Sequence, residues 1–264
     1  MKDFQNNSGS TLTRALGVLA LFSTMKPLLS AEDIAAHLGY TRSTAYRYLK
    51  DLAEAGLIAP ASGGNYSLGP RIVELERMLA LTDPLYLAGA SVLPAHRRED
   101  SVLLLHSLYQ EKVLCIYKVG PDVLQHKGER ITIRRARGIP FSLFQGAASL
   151  AMLPYLSQHR IRQTFLRFQK QIAIAGLGSD WAEFRVQMNA IRRAGYATSR
   201  GQITPLVMGV AVPIVLPDDQ RLIGSLARAC HVANMPRDQE AACAEELRIL
   251  SQKIANEYIK VALR

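Results

Sequence analysis

Along the first seventy residues, apolar side chains recur at helical spacing and are interrupted at short intervals by turn residues. Leu12, Ala15, Leu16, Leu19 and Phe22 follow an i, i+3, i+4, i+7 pattern, which predicts a first helix capped by Ser10 or Thr11 and ended by Pro27. Ser30-Ala31-Glu32-Asp33 opens a second helix, because the Ser hydroxyl can accept the backbone N–H three residues on and the acids suit the positive helix start. Ile34, Ala35 and Leu38 supply its buried side. Gly39 can adopt left-handed backbone angles and so provides the break before a third helix, capped by Thr41 and running to about Ala55. At about 100° per residue, Ala45, Tyr48, Leu49 and Leu52 gather on one face of that helix, and Arg42, Ser43, Tyr46, Arg47 and Lys50 on the other. After Gly56, residues 57–60 and 65–68 predict two short strands around the turn Ser62-Gly63-Gly64. Three helices followed by a hairpin describe a winged helix-turn-helix.

From Pro70, residues 71–81 return to helical spacing with Ile72, Leu75 and Leu79 expected inward, and Thr82-Asp83-Pro84 breaks the run. This reads as a linker helix. Residues 101–109 and 112–119 are β-rich and divided by Gln110-Glu111, an antiparallel hairpin; residues 131–133 are a third strand, and residues 146–155 a short helix. Asp180-Trp181-Ala182-Glu183 forms a capping box ahead of inward Phe184, Met188 and Ile191, and Gly195 closes that helix. Residues 209–216 and 221–229 are two more strands joined by Pro217-Asp218-Asp219-Gln220, and Leu247, Leu250, Ile254, Tyr258 and Val261 mark a long last helix with Pro236 near its start. The expected class is α+β, with a winged helix-turn-helix over 10–69, a linker helix over 70–83, and an antiparallel sheet with helices over 84–264.

Composition narrows the options. The chain has 264 residues, 48% hydrophobic and 20% charged, which excludes a single small module and a disordered chain. No apolar stretch approaches the roughly eighteen residues of a membrane span, and the polar start through Ser10, with Asp3, is unlike a signal peptide, so a cytoplasmic protein with no membrane partner is expected. Cys115, Cys230 and Cys243 are an odd number at wide spacing and read as free thiols. Thirty-two Lys and Arg against 22 Asp and Glu give +10, which favours a polyanionic partner. Residues 1–70 nevertheless carry only six basic and five acidic side chains. Nucleic-acid binding there depends on where the charges point.

The third helix offers that direction. Arg42, Ser43, Tyr46, Arg47 and Lys50, with Thr41 and Thr44 at its start, supply cations and short hydroxyls for base edges and phosphates, and Gly63, Gly64 and Asn65 would lie near the backbone or minor groove. With so modest a charge a monomer would bind weakly, so paired copies reading half-sites are expected. The basic run Lys127, Arg130, Arg134, Arg135, Arg137 reads as a charged edge strand or as a contact for an anion or DNA. Phe144-Gln145-Gly146-Ala147-Ala148-Ser149 puts small residues at a helix start, which suits either tight helix-on-sheet packing or the approach of a carboxylate to backbone N–H groups. Phosphate-loop, nucleophile-elbow, dinucleotide and metal-spacing motifs are missing and the six histidines are scattered, so no catalytic residue, metal or cofactor is expected.

Over about positions 10–262 the sequence resembles the isocitrate lyase regulator (IclR) family. In the first half the resemblance rests on Thr41-Arg42-Ser43-Thr44-Ala45-Tyr46-Arg47-Tyr48-Leu49, Gly56-Leu57-Ile58 and Tyr66-Ser67-Leu68-Gly69. In the second it rests on Gly146-Ala147-Ala148-Ser149, Ala175-Gly176-Leu177-Gly178, residues 191–197, Gly209-Val210-Ala211-Val212-Pro213-Ile214 and Gly224-Ser225-Leu226, in order. The resemblance implies a regulator that binds double-stranded operator DNA, with a GAF-like second domain that takes a small effector, an organic acid or aromatic catabolite. It also implies a homodimer or dimer of dimers, joined first through the DNA-binding halves. By position it assigns the effector site to Phe144, Gln145, Gly146 and Ala147, to Gln202, and to the strand residues Ala211, Pro213, Ser225, Ala227 and Ala229. Gln202 stands where relatives often carry an acid, and Ala227 and Ala229 where they often carry serines, which suggests a roomier, more apolar pocket. Residues 92–102 look shorter than usual, which suggests a truncated helix there. The competing readings are a sensor acting through protein contacts and a metabolic enzyme with an appended helical domain.

Overall fold

The computed structural model describes residues 10–133 and 137–263. The chain forms two compact units that divide between Leu81 and Thr82. In the first, α1 (Thr11–Gly17) is capped by Ser10, whose hydroxyl accepts from the Thr13 N–H at 3.2 Å, and it ends in a 3-10 turn at Leu19–Leu21, well before Pro27. After β1 (Leu29–Ser30), α2 (Ala31–Leu38) opens with a full capping box: the Asp33 N–H reaches the Ser30 hydroxyl and the Ser30 N–H reaches the Asp33 carboxylate. Gly39 takes the left-handed conformation, φ 66°, and Thr41 caps α3 (Arg42–Glu54). Ala45, Tyr48, Leu49 and Leu52 of α3 are buried with Ile34 and Ala35 of α2, so the predicted apolar face is the core of this unit.

Strands β2 (Ile58–Pro60) and β3 (Asn65–Leu68) pair antiparallel, and β3 also pairs with β1 to give a three-stranded sheet in the order β1-β3-β2. Gly69 packs its Cα so tightly that an added Cβ would lie 2.2 Å from the Gly56 carbonyl oxygen, which fixes the foot of the wing. α4 (Arg71–Thr82) follows. Sequence periodicity put Leu75 and Leu79 inward, yet they are 42% and 62% exposed, because this helix finds no partner face in its own unit.

The second unit is a six-stranded antiparallel sheet between two helical layers. It begins with α5 (Pro84–Val92), a helix capped by Asp83 that the sequence pattern did not reveal. β4 (Ser101–Tyr109) and β5 (Lys112–Val119) form the predicted hairpin. β6 (Val123–His126) and β7 (Glu129–Thr132) pair as a separate two-stranded hairpin, and β8 (Phe141–Ser142) is a short edge strand. Then come α6 (Gly146–Met152), α7 (Gln158–Ile174), α8 (Trp181–Ala194), β9 (Ala197–Arg200), β10 (Val207–Val215), β11 (Leu222–His231) and α9 (Glu240–Ala262). The strand order is β8-β5-β4-β11-β10-β9.

Period-two alternation builds the two faces of the sheet. Val102, Leu104, Ala211, Ala227 and Ala229 pack with α6, α7 and α8, while Leu103, Leu105, Val210, Val212, Leu226 and Cys230 pack with α5 and α9. At α8 the Asp180 carboxylate caps the Glu183 N–H at 2.8 Å, but Glu183 returns its carboxylate to the Ser179 N–H and hydroxyl, so the reciprocal arm falls one residue earlier than the capping-box pattern predicts.

Candidate functional site

Two features concentrate the candidate chemistry, one in each unit. In the first, α3 turns Arg42, Ser43, Tyr46, Arg47 and Lys50 outward while its opposite face is sealed in the core, and Tyr46 alone is 51% exposed. Thr41 accepts from the Thr44 N–H at 3.3 Å, and the two threonine hydroxyls are hydrogen-bonded at 2.9 Å, which orders the start of the helix. Each cation has a local partner: Arg42 meets Glu32 of α2 at 2.5 Å, Lys50 meets Glu54 at 3.8 Å, and the Arg47 guanidinium lies 5.3 Å from the Tyr48 ring centre. Exposed pairs of this kind are worth about 0–1 kcal/mol, so a phosphate or base edge can replace them at little cost. In the wing, Gly63 and Gly64 take φ of 68° and 72°, angles that need glycine, and Asn65 donates to the Ser62 carbonyl at 3.0 Å.

In the second unit a cavity of about 70 Å³ lies between the sheet and the start of α6. Its wall is largely apolar, with Leu104, Ile133, Phe141 and Val207 among the lining residues. Five of the ten sequence-assigned residues line it: Gly146, Ala147, Gln202, Ala227 and Ala229. The other five do not. Phe144 is buried against Phe168, with ring centres 5.3 Å apart; Gln145 is the residue before α6 and makes no capping bond; Ala211 is fully buried in the core that β10 shares with α6; Pro213 lies farther along β10; and Ser225 is fully buried beside His106. The strand residues that the resemblance assigns share one face of β10 and β11, but the short α6 covers part of that face and leaves only its margin open.

The N–H groups at the start of α6, which the sequence offers either to tight helix-on-sheet packing or to a carboxylate, are occupied within the protein. Gly146 donates to the Gln202 amide oxygen and Ala147 to the Ser199 hydroxyl, both at 3.1 Å. Gly146 sits at φ 78°, and a Cβ there would lie 2.4 Å from Ile203 Cδ1, so the loop between β9 and β10 is pressed onto the helix start. Gln202 and Ile203 therefore fill space, and the roomier pocket expected from the sequence is a small one in this conformation.

The residue sequence reasoning missed is His106. It is 2% exposed, its ring meets Phe141 edge-on at 5.6 Å, and its Nδ1 has no hydrogen-bond partner. Burial pushes the imidazole down to about 4, against the opposing pull of the Ser225 and Leu104 backbone. The signal was present in the run Val102-Leu103-Leu104-Leu105-His106, where His106 shares the inward parity of Val102 and Leu104. The basic run is dispersed: Arg134 and Arg135 lie outside the described residues, Lys127 and Arg130 sit on the separate β6–β7 hairpin, and Arg137 donates to the Ile116 carbonyl at 3.1 Å. All three cysteines are free and buried. Among the described residues there is no group of three His, Cys, Asp or Glu placed to hold a metal, and no helix long and apolar enough to cross a membrane.

The model of the IclR helix-turn-helix domain matches residues 11–61, the segment that builds α1 through β2. Residues 11–61 are a helix-turn-helix domain of the IclR type. The chain is 21% identical to the HTH-type transcriptional regulator KipR of Bacillus subtilis over 210 residues, covering 79% of this chain and 81% of KipR. Its fold is shared with the IclR transcriptional regulator of Alicyclobacillus acidocaldarius at a TM-score of 0.73 and 20% identity, covering 94% and 98% of the two chains. It is also shared with an IclR homologue from Microbacterium hydrocarbonoxydans, crystallised in complex with 4-hydroxybenzoate, at a TM-score of 0.64 and 22% identity, covering 95% and 100%. The chain is a transcriptional regulator of the helix-turn-helix type.

Proposed function

We propose that this IclR-family regulator reads operator DNA with the exposed face of α3 and is controlled by a small organic or aromatic acid taken into the cavity beside α6. The observation that carries the reading is the division of α3 into a sealed apolar face and an outward face of cations and hydroxyls. Thr41, Arg42, Ser43, Thr44, Tyr46, Arg47 and Lys50 engage the major groove and its phosphates, and Gly63, Gly64 and Asn65 follow the backbone or minor groove. The exposed apolar residues Leu12 and Leu16 of α1, and Val73, Leu75 and Leu79 of α4, support pairing of copies through this unit.

The cavity, at about 70 Å³, is smaller than the roughly 150 Å³ apolar cavity known to take up benzene, so a ring-sized acid enters only by displacing Gln202 and Ile203. The solved relative with 4-hydroxybenzoate makes aromatic acids the first compounds to test. Ligand binding controls DNA affinity only to the extent that it favours one arrangement of the paired units over another. In a thermal-shift screen of organic acids, an effector raises the Tm of wild type but not of Ala147→Trp and also shifts half-saturation in DNA-binding anisotropy. DNA binding indifferent to every compound that raises Tm would contradict ligand control.

The Arg42–Glu32 pair yields a separate expectation. Glu32→Gln frees Arg42 and removes one negative charge from the DNA-facing side, so affinity for duplex DNA rises about two- to fivefold at low salt and the gain shrinks as salt is added. Anisotropy titrations at two ionic strengths check this, and an unchanged affinity would remove Arg42 from the contact surface.

A further inference from the structure

We propose that His106 selects the ligand of the cavity, and that it selects for a hydroxyl group. The inference rests on the cavity being the effector site. On β4, Val102, Leu104 and His106 share the face toward α6, and His106 stands directly opposite Ser225 on β11. The Ser225 hydroxyl, like His106 Nδ1, is buried without a hydrogen-bond partner. Of these two neighbours His106 lines the cavity, in a stretch of wall with Leu104, Ile133, Phe141 and Ala227, while Ser225 is buried beside it and does not reach the cavity. A structural histidine in a core is ordinarily satisfied through its ring nitrogens, and each orphan costs about 1–3 kcal/mol relative to a paired group. An apolar side chain at 106 would pack the same space without that cost, so the histidine in the cavity wall is explained by a partner that arrives from outside.

The chemistry of the partner follows from what surrounds His106. The imidazole is neutral around pH 7, because burial holds it well below its ordinary range. The guanidinium of Arg228, the one cationic side chain among the lining residues, is bound to Glu246 of α9 across the sheet. A carboxylate seated at His106 would therefore be a buried charge without a counter-charge. A hydroxyl both donates and accepts, so it pairs with either tautomer of the neutral ring and is uncharged. The ligand class is a small hydroxylated molecule whose hydroxyl is inserted to the depth of His106 and whose more polar remainder faces the loop that carries Gln202.

The test is calorimetric titration of the full chain with matched pairs that differ by one hydroxyl: 4-hydroxybenzoate against benzoate, phenol against benzene, and 3-hydroxybutyrate against butyrate. In wild type the hydroxylated member of at least one pair binds about tenfold more tightly, and in His106→Phe and His106→Leu that ratio falls to about one while the dehydroxylated member keeps its affinity. Independently of any variant, the ring nitrogen resonances of His106 in labelled wild-type protein shift on adding the hydroxylated compound and not its partner. Binding without preference, or a preference that survives in both variants, overturns the role of His106 and leaves the cavity as the effector site. Failure of every compound to bind wild type overturns the cavity assignment and the role of His106 with it.

Discussion

Replacing Arg42 and Arg47 together with Ala abolishes specific DNA recognition while leaving the fold intact. An arginine on a base edge contributes about 1–3 kcal/mol, so two arginines in each of two paired copies supply ~4 kcal/mol at the lower bound, about a thousandfold in affinity. Both side chains are outside the core: Arg42 is paired with exposed Glu32, and exposed Arg47 lies over the Tyr48 ring. Removing such exposed pairs costs at most ~1 kcal/mol, so Tm moves little. The salt dependence of residual binding also weakens, because every phosphate that the variant no longer neutralises takes close to one unit from the slope of log affinity against log salt. Competition anisotropy on the upstream intergenic DNA, with circular dichroism melts of both proteins, separates the two effects. Undiminished specific affinity in the double variant would assign DNA reading to another surface.

The second large effect is acid sensitivity of the second unit. His106 titrates at its ordinary 6.5 when unfolded and is pushed down to about 4 when buried, so between these limits the unfolded chain binds a proton that the folded one does not. Above pH 6.5 the group is neutral in both states and contributes nothing. As pH falls below that value the unfolded state gains, at ~1.4 kcal/mol per pH unit, and the effect saturates near pH 4 at ~3 kcal/mol. The carboxylates with lowered pKa, Asp33, Asp122 and Glu246, act at and below the acid end of this window, because each loses its contribution as pH falls from the ordinary carboxylate range through its lower folded value. Urea unfolding of wild type and His106→Phe at pH 7.0, 6.0 and 5.0 isolates the effect: the variant matches or exceeds wild type at every pH, and the difference grows as pH drops. Parallel curves would mean that His106 is solvated or paired in solution.

Much of the first unit was legible because local signals agreed with one another. The Ser30 and Thr41 caps, the left-handed Gly39 and the apolar stripe of α3 each specify a boundary or a face through contacts within a few residues. The hairpins of the second unit were legible from period-two runs for the same reason. Elements held by long-range pairing were not. β9 is four residues and β8 two, too short for an alternating pattern, and α5 is apolar over most of its length; of the local β6–β7 hairpin only residues 131–133 were predicted as strand. On α4 the apolar spacing was read correctly as a face, but that face is exposed, since a single chain's sequence does not say whether its own core or a second copy covers it.

The cavity divides along the same line. Gly146, Ala147, Gln202, Ala227 and Ala229, which the resemblance to the IclR family assigned by position, line the cavity. Ala211 and Ser225 share the alternation but are covered, which depends on where α6 crosses the sheet. The hydrogen bond of Gln202 to Gly146 joins residues 56 positions apart and comes from the docking of the β9–β10 loop, which no local pattern encodes.

Whether paired copies read DNA with α3 is decided by footprinting of the full chain on the DNA upstream of its own gene. In the presence of excess competitor DNA, two segments on one face of the duplex are protected, with centres separated by a whole number of helical turns and guanine N7 positions shielded in the major groove of each. Protection confined to the minor groove, or none beyond that of competitor DNA, would contradict reading by α3.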